Sequence, residues 1–161
     1  MATATTRTGV LTRLYHDETI VVGSTTGKEM LAASGEVFPG WLDPNFERWG
    51  TNVQSDPTEE AGVEVWEMAE DANFRTMFSS LGDPERLCLT QGQIRKFAAE
   101  RRDKLHSNGW ATFFLFRVGE ELFVAGLDDY GRELLAFVYR FGNGYVWCAG
   151  DRRRVVVPRL D

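Results

Sequence analysis

The stretch that decides the fold is ATFFLFRVGEELFVAGLDDYGRELLAFVYRF, residues 111–141. Three segments of it, 111–118, 121–128 and 133–141, have the two-residue apolar period that is typical of β-strands. Gly-Glu and Asp-Tyr-Gly-Arg separate these segments, and turns of this size supply a glycine where a positive φ is needed. The stretch therefore predicts three consecutive antiparallel strands.

Two further strand candidates follow toward the C-terminus. YVWCA (145–149) comes after a Gly-Asn-Gly turn, and RVVVP (154–158) ends at a proline. Because sequential strands with short connections pair antiparallel, we expect a C-terminal meander. Within it, the run Phe113–Phe116 is apolar on both faces, which predicts a central strand with other parts of the chain packed on either side.

Two helices are predicted upstream of the meander. Thr90 followed by Gln93 is a capping box, and the apolar stripe behind it indicates a helix over about 91–107. The segment 72–82 shows a shorter apolar stripe, for which Asp71 is the expected N-cap. We expect these helices to cover the apolar side of the meander.

The N-terminal part predicts short strands at GVLTRLYH (9–16), ETIVVGS (18–24) and VEVWEM (63–68), the first two joined by a turn. Together these segments predict the α+β class. We expect a single domain over residues 9–161, preceded by a flexible N-terminus over residues 1–8. Partial closure of the meander into a barrel is compatible with this arrangement.

Composition indicates a packed globule. The chain has 161 residues, of which 43% are hydrophobic, with 11 Phe and 5 Trp, and this length supports one core. No apolar run approaches the ~18 residues of a membrane span, and the N-terminus lacks the apolar segment of a secretory signal. Cys88 and Cys148 show neither CxxC nor metal-site spacing. We therefore expect reduced thiols in a cytoplasmic protein.

The charge is acidic and unevenly placed. The net charge is −6, with 5 Lys/Arg against 13 Asp/Glu in residues 1–80 and 13 against 11 in residues 81–161. The second half can therefore carry a basic surface. The molecule as a whole still repels a polyanion at long range.

The motifs of catalysis and cofactor binding are incomplete. TIVVGSTTGKEML (19–31) resembles a phosphate loop, but three residues separate its glycines instead of four, and a glutamate replaces the hydroxyl. The sequence contains no nucleophile-elbow motif whose serine could form a catalytic pair with His16 or His106. Asp128 and Asp129 precede a glycine turn, where a solvated turn is the expectation and a metal site completed from elsewhere is the alternative. We predict no catalytic residue, no cofactor and no metal site.

Two groups of residues are candidates for binding. The aromatic loop consists of Trp41, Phe46 and Trp49, and the arginine patch consists of Arg152, Arg153 and Arg154 with Trp147, Arg95 and Arg102. Exposed loop aromatics form protein-contacting patches. Guanidiniums beside aromatic rings are typical of single-strand nucleic-acid binding, although arginines also protect sheet edges from pairing.

Three longer runs of the sequence are VFPGWLDPNFERWGTNV (37–53), LCLTQGQIRKFAAERRDKLHSNGWATFFLFRVGEELFVAG (87–126) and VWCAGDRRRVVVPRL (146–160). Together they resemble a family of small, uncharacterised bacterial proteins from candidate-phylum bacteria. The likeness covers residues 35–160. It implies a bacterial and cytoplasmic protein, and it implies no particular activity.

By elimination, the sequence predicts a non-catalytic binding protein with a protein partner, contacted by the aromatic loop or the arginine patch. The alternative is a nucleic-acid-associated protein that uses the arginine patch, with an affinity that falls steeply with salt. A second alternative is an enzyme with a dispersed site. A concave pocket that holds carboxylates or a histidine of perturbed pKa would identify it.

Overall fold

The computed structural model describes residues 7–33, 41–106, 110–131 and 133–160, which form a mixed α/β structure around one sheet. The strands are β1 Leu11–Leu14, β2 Ile20–Val22, β3 Trp41–Leu42, β4 Ala61–Met68, β5 Thr112–Val118, β6 Glu121–Asp129, β7 Leu134–Arg140 and β8 Arg154–Pro158. The α-helices of the described residues are α1 Asn45–Arg48, α2 Phe74–Ser79 and α3 Gln91–Glu100. This content fits the expected α+β class.

The strands lie in the order β1-β4-β8-β5-β6-β7-β3, and β2 also pairs with β4. β5, β6 and β7 are consecutive and antiparallel, as the sequence predicted. β8 departs from chain order, because it lies between β4 and β5, antiparallel to the first and parallel to the second. Val155, Val156 and Val157 are all fully buried, and a strand that is apolar on both faces is stable inside a sheet.

The segment 145–149 is not a strand of this sheet, contrary to the prediction. Trp147 forms an isolated antiparallel bridge with Ala72, with N–O distances of 2.9 and 3.2 Å. The carboxylate of Asp71 accepts a hydrogen bond from the Ala149 amide at 2.8 Å. The segment is therefore hydrogen-bonded to the residues that precede α2 and does not pair with β7.

Within the described residues the sheet is open and does not close into a barrel. β1 and β2 pair in succession with β4, so together they form one interrupted edge strand rather than a hairpin. The interruption begins at Tyr15, whose φ is 52°. The opposite edge is β3, which pairs in parallel with β7. The rest of the sheet separates these two edges.

The sheet separates two hydrophobic cores. α3 packs on one side, the α3 face, where the rings of Phe97 and Phe114 meet edge to face at 5.3 Å. α2 packs on the other side, the α2 face, where Phe74 meets Phe113 at 5.0 Å. Because successive residues of β5 point to opposite faces, the run Phe113–Phe116 supplies both cores, as its composition predicted.

α3 begins as predicted and ends earlier. Thr90 and Gln93 form both hydrogen bonds of the capping box. The helix stops at Glu100 rather than near residue 107, because Arg101 leaves the helical region with φ −127° and ψ 35°. A 3-10 turn, Arg102–Lys104, continues the chain.

α2 is capped by Asn73 and not by Asp71. The Asn73 side chain accepts a hydrogen bond from the Thr76 amide at 2.9 Å. The four-residue α1 was not predicted, so the described residues contain one α-helix more than expected. Among them, no helix has both the length and the apolar character needed to cross a membrane.

The segment expected to be a flexible N-terminus lies mostly outside the described residues, which begin at Arg7. The Thr8 hydroxyl hydrogen-bonds the Ser80 hydroxyl at 3.0 Å and accepts from the Leu11 amide at 2.9 Å. Thr8 therefore connects the start of β1 to the end of α2.

Candidate functional site

A row of aromatic rings lies on the α2 face of the sheet. Its members, in spatial order, are Trp41, Phe137, Tyr139, Trp147 and Tyr145, and Trp110 is connected to Trp147 through the guanidinium of Arg153. Successive ring centroids along the row are 5.0, 6.4, 5.4 and 4.7 Å apart. We term these six residues the aromatic face. It joins a residue of the aromatic loop to a residue of the arginine patch, which the sequence had offered as two separate sites.

Strand periodicity places the middle of the row. Leu135, Phe137 and Tyr139 alternate along β7 and point to the α2 face, and Trp41 of β3 pairs directly with Leu135. Tyr139 lies close over Gly126 of β6, where an added Cβ would be 3.0 Å from the Tyr139 ring. A glycine at this position therefore leaves room for the ring against the sheet.

Both ends of the row are exposed to solvent. The exposed fraction is 42% for Trp41, 41% for Trp110 and 59% for Tyr145. Phe137 and Tyr139, between them, are half-buried. Large aromatic side chains that remain accessible side by side are typical of contact surfaces, because they bury much area with few rotatable bonds.

Arg153 is fixed within the aromatic face. Its guanidinium lies 4.7 Å from the ring centre of Trp147 and 5.1 Å from that of Trp110. It also forms an ion pair with Asp151 at 2.7 Å, and its side chain is mostly buried. Cation–π contacts on two indoles together with a carboxylate hold this charge firmly.

Asp128 is the titratable group that stands out on this side of the sheet. It pairs with Leu135 across β6 and β7 and so points to the α2 face. Its Oδ1 is buried and has no hydrogen-bond partner in the described residues. Burial raises the pKa of Asp128 from 3.8 to about 6, while the charge of Arg153 acts in the opposite direction.

Burial also affects two other polar groups on this side of the sheet, the Tyr139 phenol and the Trp147 indole nitrogen. Burial, with the Asp128 charge second, raises the pKa of the Tyr139 phenol to about 12. The indole Nε1 of Trp147 is also buried without an acceptor in the described part of the chain. The α2 face therefore combines accessible rings with polar groups that have no partner in the described residues, an arrangement suited to binding.

The aromatic loop is divided between the two faces of the sheet. Trp41 lies on the aromatic face, but Phe46 is 1% exposed and belongs to the core of the α3 face. Trp49 is half-buried on that same side, 6.4 Å from the Phe123 ring and 4.7 Å from the Arg140 guanidinium. Phe46 and Trp49 are thus not part of one surface with Trp41.

The arginine patch is divided in the same way. Arg154 follows Arg153 and points to the α3 face, where its Nη1 donates to the carbonyls of Lys104 and Leu105 at 2.7 and 3.2 Å. It also donates to the Tyr15 hydroxyl at 3.2 Å. Arg154 of β8 therefore connects by hydrogen bonds to Tyr15, at the interruption of the edge strand, and to the chain that follows α3.

The other predicted arginines do not join the aromatic face. Arg102 forms an ion pair with Asp129 at 3.0 Å, on the α3 side. Arg95 is half-exposed in α3. Arg152 is exposed and adopts a left-handed conformation with φ 53°. Of the three consecutive arginines, Arg152 is the exposed one, next in sequence to Arg153.

A cleft with a volume of about 910 Å3 lies elsewhere, at one end of the sheet. Its lining includes Asp83, Glu120, Glu121, Arg75 and Arg140. Arg140 is ion-paired with Glu121, and Arg75 stacks on the ring of Phe141 at 5.0 Å. The cleft holds carboxylates, but Asp128 is not among them.

His106 lies in the core and outside this cleft. Burial, together with the charge of Arg154, lowers its pKa, and its amide donates to the Thr112 hydroxyl at 3.0 Å. Among the described residues, no three His, Cys, Asp or Glu side chains lie together so as to hold a metal ion.

Comparison with known proteins gives no relative: no protein-family model, no curated protein and no solved structure matches the chain.

Sequence reasoning did not identify Phe137, Tyr139 or Trp110 as site residues, and it considered Asp128 only together with Asp129, as an alternative metal site. A signal for two of them was present, because alternation along LLAFVYR places Phe137 and Tyr139 on one side of β7. No local signal placed Trp110 or Asp128 beside these rings. They reach the aromatic face only through the pairing of β5, β6 and β8.

Proposed function

We propose that the chain is a non-catalytic binding protein of the bacterial cytoplasm and that its aromatic face contacts a protein partner. The observation that carries this proposal is the continuous row of rings, exposed at both ends and half-buried between. Interfaces are enriched in Tyr, Trp and Phe, and such residues supply most of the binding energy.

The charges near the row favour a protein over a nucleic acid. Arg153 is neutralised by Asp151, and Asp128 adds a carboxylate, with Oδ1 buried, to the same side of the sheet. Arg154 is engaged with backbone carbonyls on the opposite face. Single-strand binders instead combine stacking rings with a groove of free positive charge.

The described residues place no nucleophile of the protein against Asp128 Oδ1. A general base that activates a nucleophile of the protein itself must be within hydrogen-bonding reach of that side chain. In the described residues Asp128 Oδ1 contacts no hydroxyl, thiol or imidazole. The cleft at the end of the sheet is separate from this carboxylate.

Site-specific photocrosslinking tests the proposal. The photoreactive residue p-benzoylphenylalanine replaces Trp41 or Tyr145 in one pair of variants and Val53 in the control. Val53 is 39% exposed, close to the value for Trp41, and its carbonyl accepts a hydrogen bond from Gln91 of α3. We expect one crosslinked protein, identified by mass spectrometry, from positions 41 and 145 but not from position 53.

Matched alanine variants test the same assignment in a pull-down with the crosslinked partner. Trp41→Ala should abolish capture, whereas Trp49→Ala, which alters the opposite side of the sheet, should leave it unchanged. Equal loss in both variants, or crosslinks from position 53 alone, would contradict the assignment of the aromatic face.

A titration against single-stranded RNA and DNA at low and moderate salt tests the alternative. Salt-sensitive quenching of tryptophan fluorescence that is lost in Arg152→Ala would replace the protein partner with a nucleic acid. Arg152 is the position to replace, because replacing Arg154 would also remove its hydrogen bonds to the Lys104 and Leu105 carbonyls and so destabilise the fold.

A further inference from the structure

We propose that a second site, a pocket between β1, β4 and the end of α2, binds a small organic molecule that carries one carboxylate group. The pocket has a volume of about 390 Å3, and its lining includes Arg13, Glu64 and Trp66. This volume lies in the lower part of the range for small-molecule sites, roughly 300–1,000 Å3. None of the residues that line it belongs to the aromatic face, so this inference is independent of the proposed partner.

Strand pairing brings the charged residues of the pocket together. Glu64 and Trp66 lie two positions apart on β4 and so point to the same face of the sheet. Arg13 of β1 pairs directly with Trp66, whose side chain belongs to the core of the α2 face. All three side chains therefore lie on the α2 face, at the edge of the sheet that β1 forms.

Glu64 is a buried carboxylate whose oxygens are already engaged by the protein. Its side chain is 3% exposed. Oε2 accepts a hydrogen bond from the Trp66 indole at 3.2 Å, and Oε1 accepts one from the Leu160 amide at 3.3 Å. Glu64 therefore serves to position Arg13, whose Nη2 lies 3.5 Å from Oε1.

Arg13 is the group that remains open to a ligand. Its distance of 3.5 Å to Glu64 exceeds the ~2.7–2.9 Å of a charge-assisted hydrogen bond, and it forms no hydrogen bond with the described residues. Its nitrogens are not among the unpartnered atoms that lack solvent access, and its side chain is 16% exposed. The guanidinium therefore keeps N–H donors accessible from the pocket.

Arg102 shows how a satisfied arginine is bound in the same molecule. Its side chain is more exposed, at 36%, yet its Nε and Nη2 donate to the two carboxylate oxygens of Asp129 at 3.4 and 3.0 Å. This is the fork geometry that a guanidinium and a carboxylate share. Because buried donors without an acceptor are unfavourable, a ligand carboxylate would supply to Arg13 the acceptor that Asp129 supplies to Arg102.

The other walls of the pocket define the rest of the ligand. Leu81 packs against the core of the α2 face, and Leu160 is 38% exposed. The hydroxyls of Thr8 and Ser80, also in the lining, hydrogen-bond each other at 3.0 Å. Apolar walls favour a short hydrocarbon body beside the carboxylate. The negative charge of Glu64 next to the guanidinium disfavours a ligand with a second negative charge, such as a phosphate dianion.

Hexanoate and hexanol separate the carboxylate from the hydrocarbon. Their chains have the same length, and only hexanoate is charged at neutral pH. Each is titrated into the full 15N-labelled chain while the tryptophan indole Nε1–H signals are followed by NMR. We expect hexanoate to shift the Trp66 signal and to leave that of Trp147, on the aromatic face, unchanged. Hexanol should bind at least about tenfold more weakly, because it cannot accept a charge-assisted pair of hydrogen bonds.

Arg13→Lys is the decisive variant, because lysine keeps the positive charge beside Glu64 and removes the fork of donors. It should weaken hexanoate binding by about tenfold or more, the effect of losing one charge-assisted hydrogen bond. Arg7→Lys is the matched control. Arg7 is 58% exposed, is ion-paired with Glu70 and does not line the pocket, so this variant should bind hexanoate as the unaltered chain does. Circular dichroism verifies that both variants are folded.

Four outcomes would overturn the carboxylate site. They are equal Trp66 shifts from hexanoate and hexanol, no Trp66 shift from hexanoate, unchanged hexanoate affinity in Arg13→Lys, and inorganic phosphate that displaces hexanoate at a lower concentration than hexanoate itself requires. None of them bears on the aromatic face, which is tested by the crosslinks at positions 41 and 145.

Discussion

The two faces of one sheet are built differently. The α3 face is closed by a capped helix, and rings such as Phe97 and Phe114 are fully buried there. On the α2 face the row from Trp41 to Tyr145 stays accessible, and Asp128 Oδ1 is left without a partner in the described residues. Both faces have a buried core, and each has an unmet buried polar atom, Arg154 Nε on the α3 face and Asp128 Oδ1 on the α2 face. The difference between the faces is the accessible row of rings, and we infer that this row serves binding.

The largest expected difference between the faces is in their rings. Phe97→Ala opens a cavity in a fully buried core and should lower the free energy of unfolding by about 3–5 kcal/mol. Phe137→Ala, in the half-buried row, should cost about 1–2 kcal/mol because its ring buries less area. Urea denaturation of the two variants measures both values, and equal losses would remove the distinction between the faces.

A second pair of variants compares neighbouring arginines. Arg154→Ala removes the donor to the Lys104 and Leu105 carbonyls and should cost about 2–3 kcal/mol. Arg152→Ala, at an exposed position, should change stability by less than about 0.5 kcal/mol. Thermal unfolding by circular dichroism distinguishes them. A loss in Arg152→Ala as large as that in Arg154→Ala would show that the patch acts as one unit.

A third prediction concerns the carboxylate of the aromatic face. Asp128→Asn should stabilise the fold by about 1–2 kcal/mol at neutral pH, a value reduced from the full pKa shift because the side chain is partly solvated. The pKa of Asp128 rises from 3.8 in the unfolded chain to about 6 in the fold. Between these values the folded chain binds more protons, so its stability falls as pH rises through this window.

The measurement is a series of urea denaturations from pH 4 to pH 8 on both proteins. The stability difference between Asp128→Asn and the unaltered chain should be absent below the lower pKa and complete above the upper one. A difference that is constant with pH would show that the carboxylate is not desolvated.

The smallest expected losses of stability are at the helix N-caps, and the loss should be the same for the cap of α3 and the cap of α2. Thr90→Ala at α3 and Asn73→Ala at α2 each remove a side-chain acceptor from an N-terminal amide. Each should cost about 1 kcal/mol, measured by chemical denaturation. If one cap variant loses much more free energy of unfolding than the other, part of the stability difference between the faces comes from the helices rather than from core packing.

Local rules were sufficient for much of the fold. The turns between β5, β6 and β7 and the capping box of α3 depend on residues a few positions apart, and these predictions are confirmed. The position of β8 depends on partners far away in sequence. Its three buried valines indicated a strand but carried no information about which strands would flank it.

The site was predictable only in part. Trp41, Trp147 and Arg153 were identified from composition, but the loop was treated as one surface. α1 intervenes between Trp41 and Trp49 and places them on opposite sides of the sheet. Arg153 and Arg154 separate for a simpler reason, because adjacent residues entering a strand point to opposite faces.

The position of β8 also sets the order in which the sheet can be completed. β4 with its edge strands and the β5–β7 meander share no direct strand pairing, and β8 alone joins them among the described residues. During synthesis, both halves leave the ribosome before this strand does. Each half therefore has an unpaired strand edge until β8 is synthesised. The sheet becomes continuous only when β8 pairs with both β4 and β5.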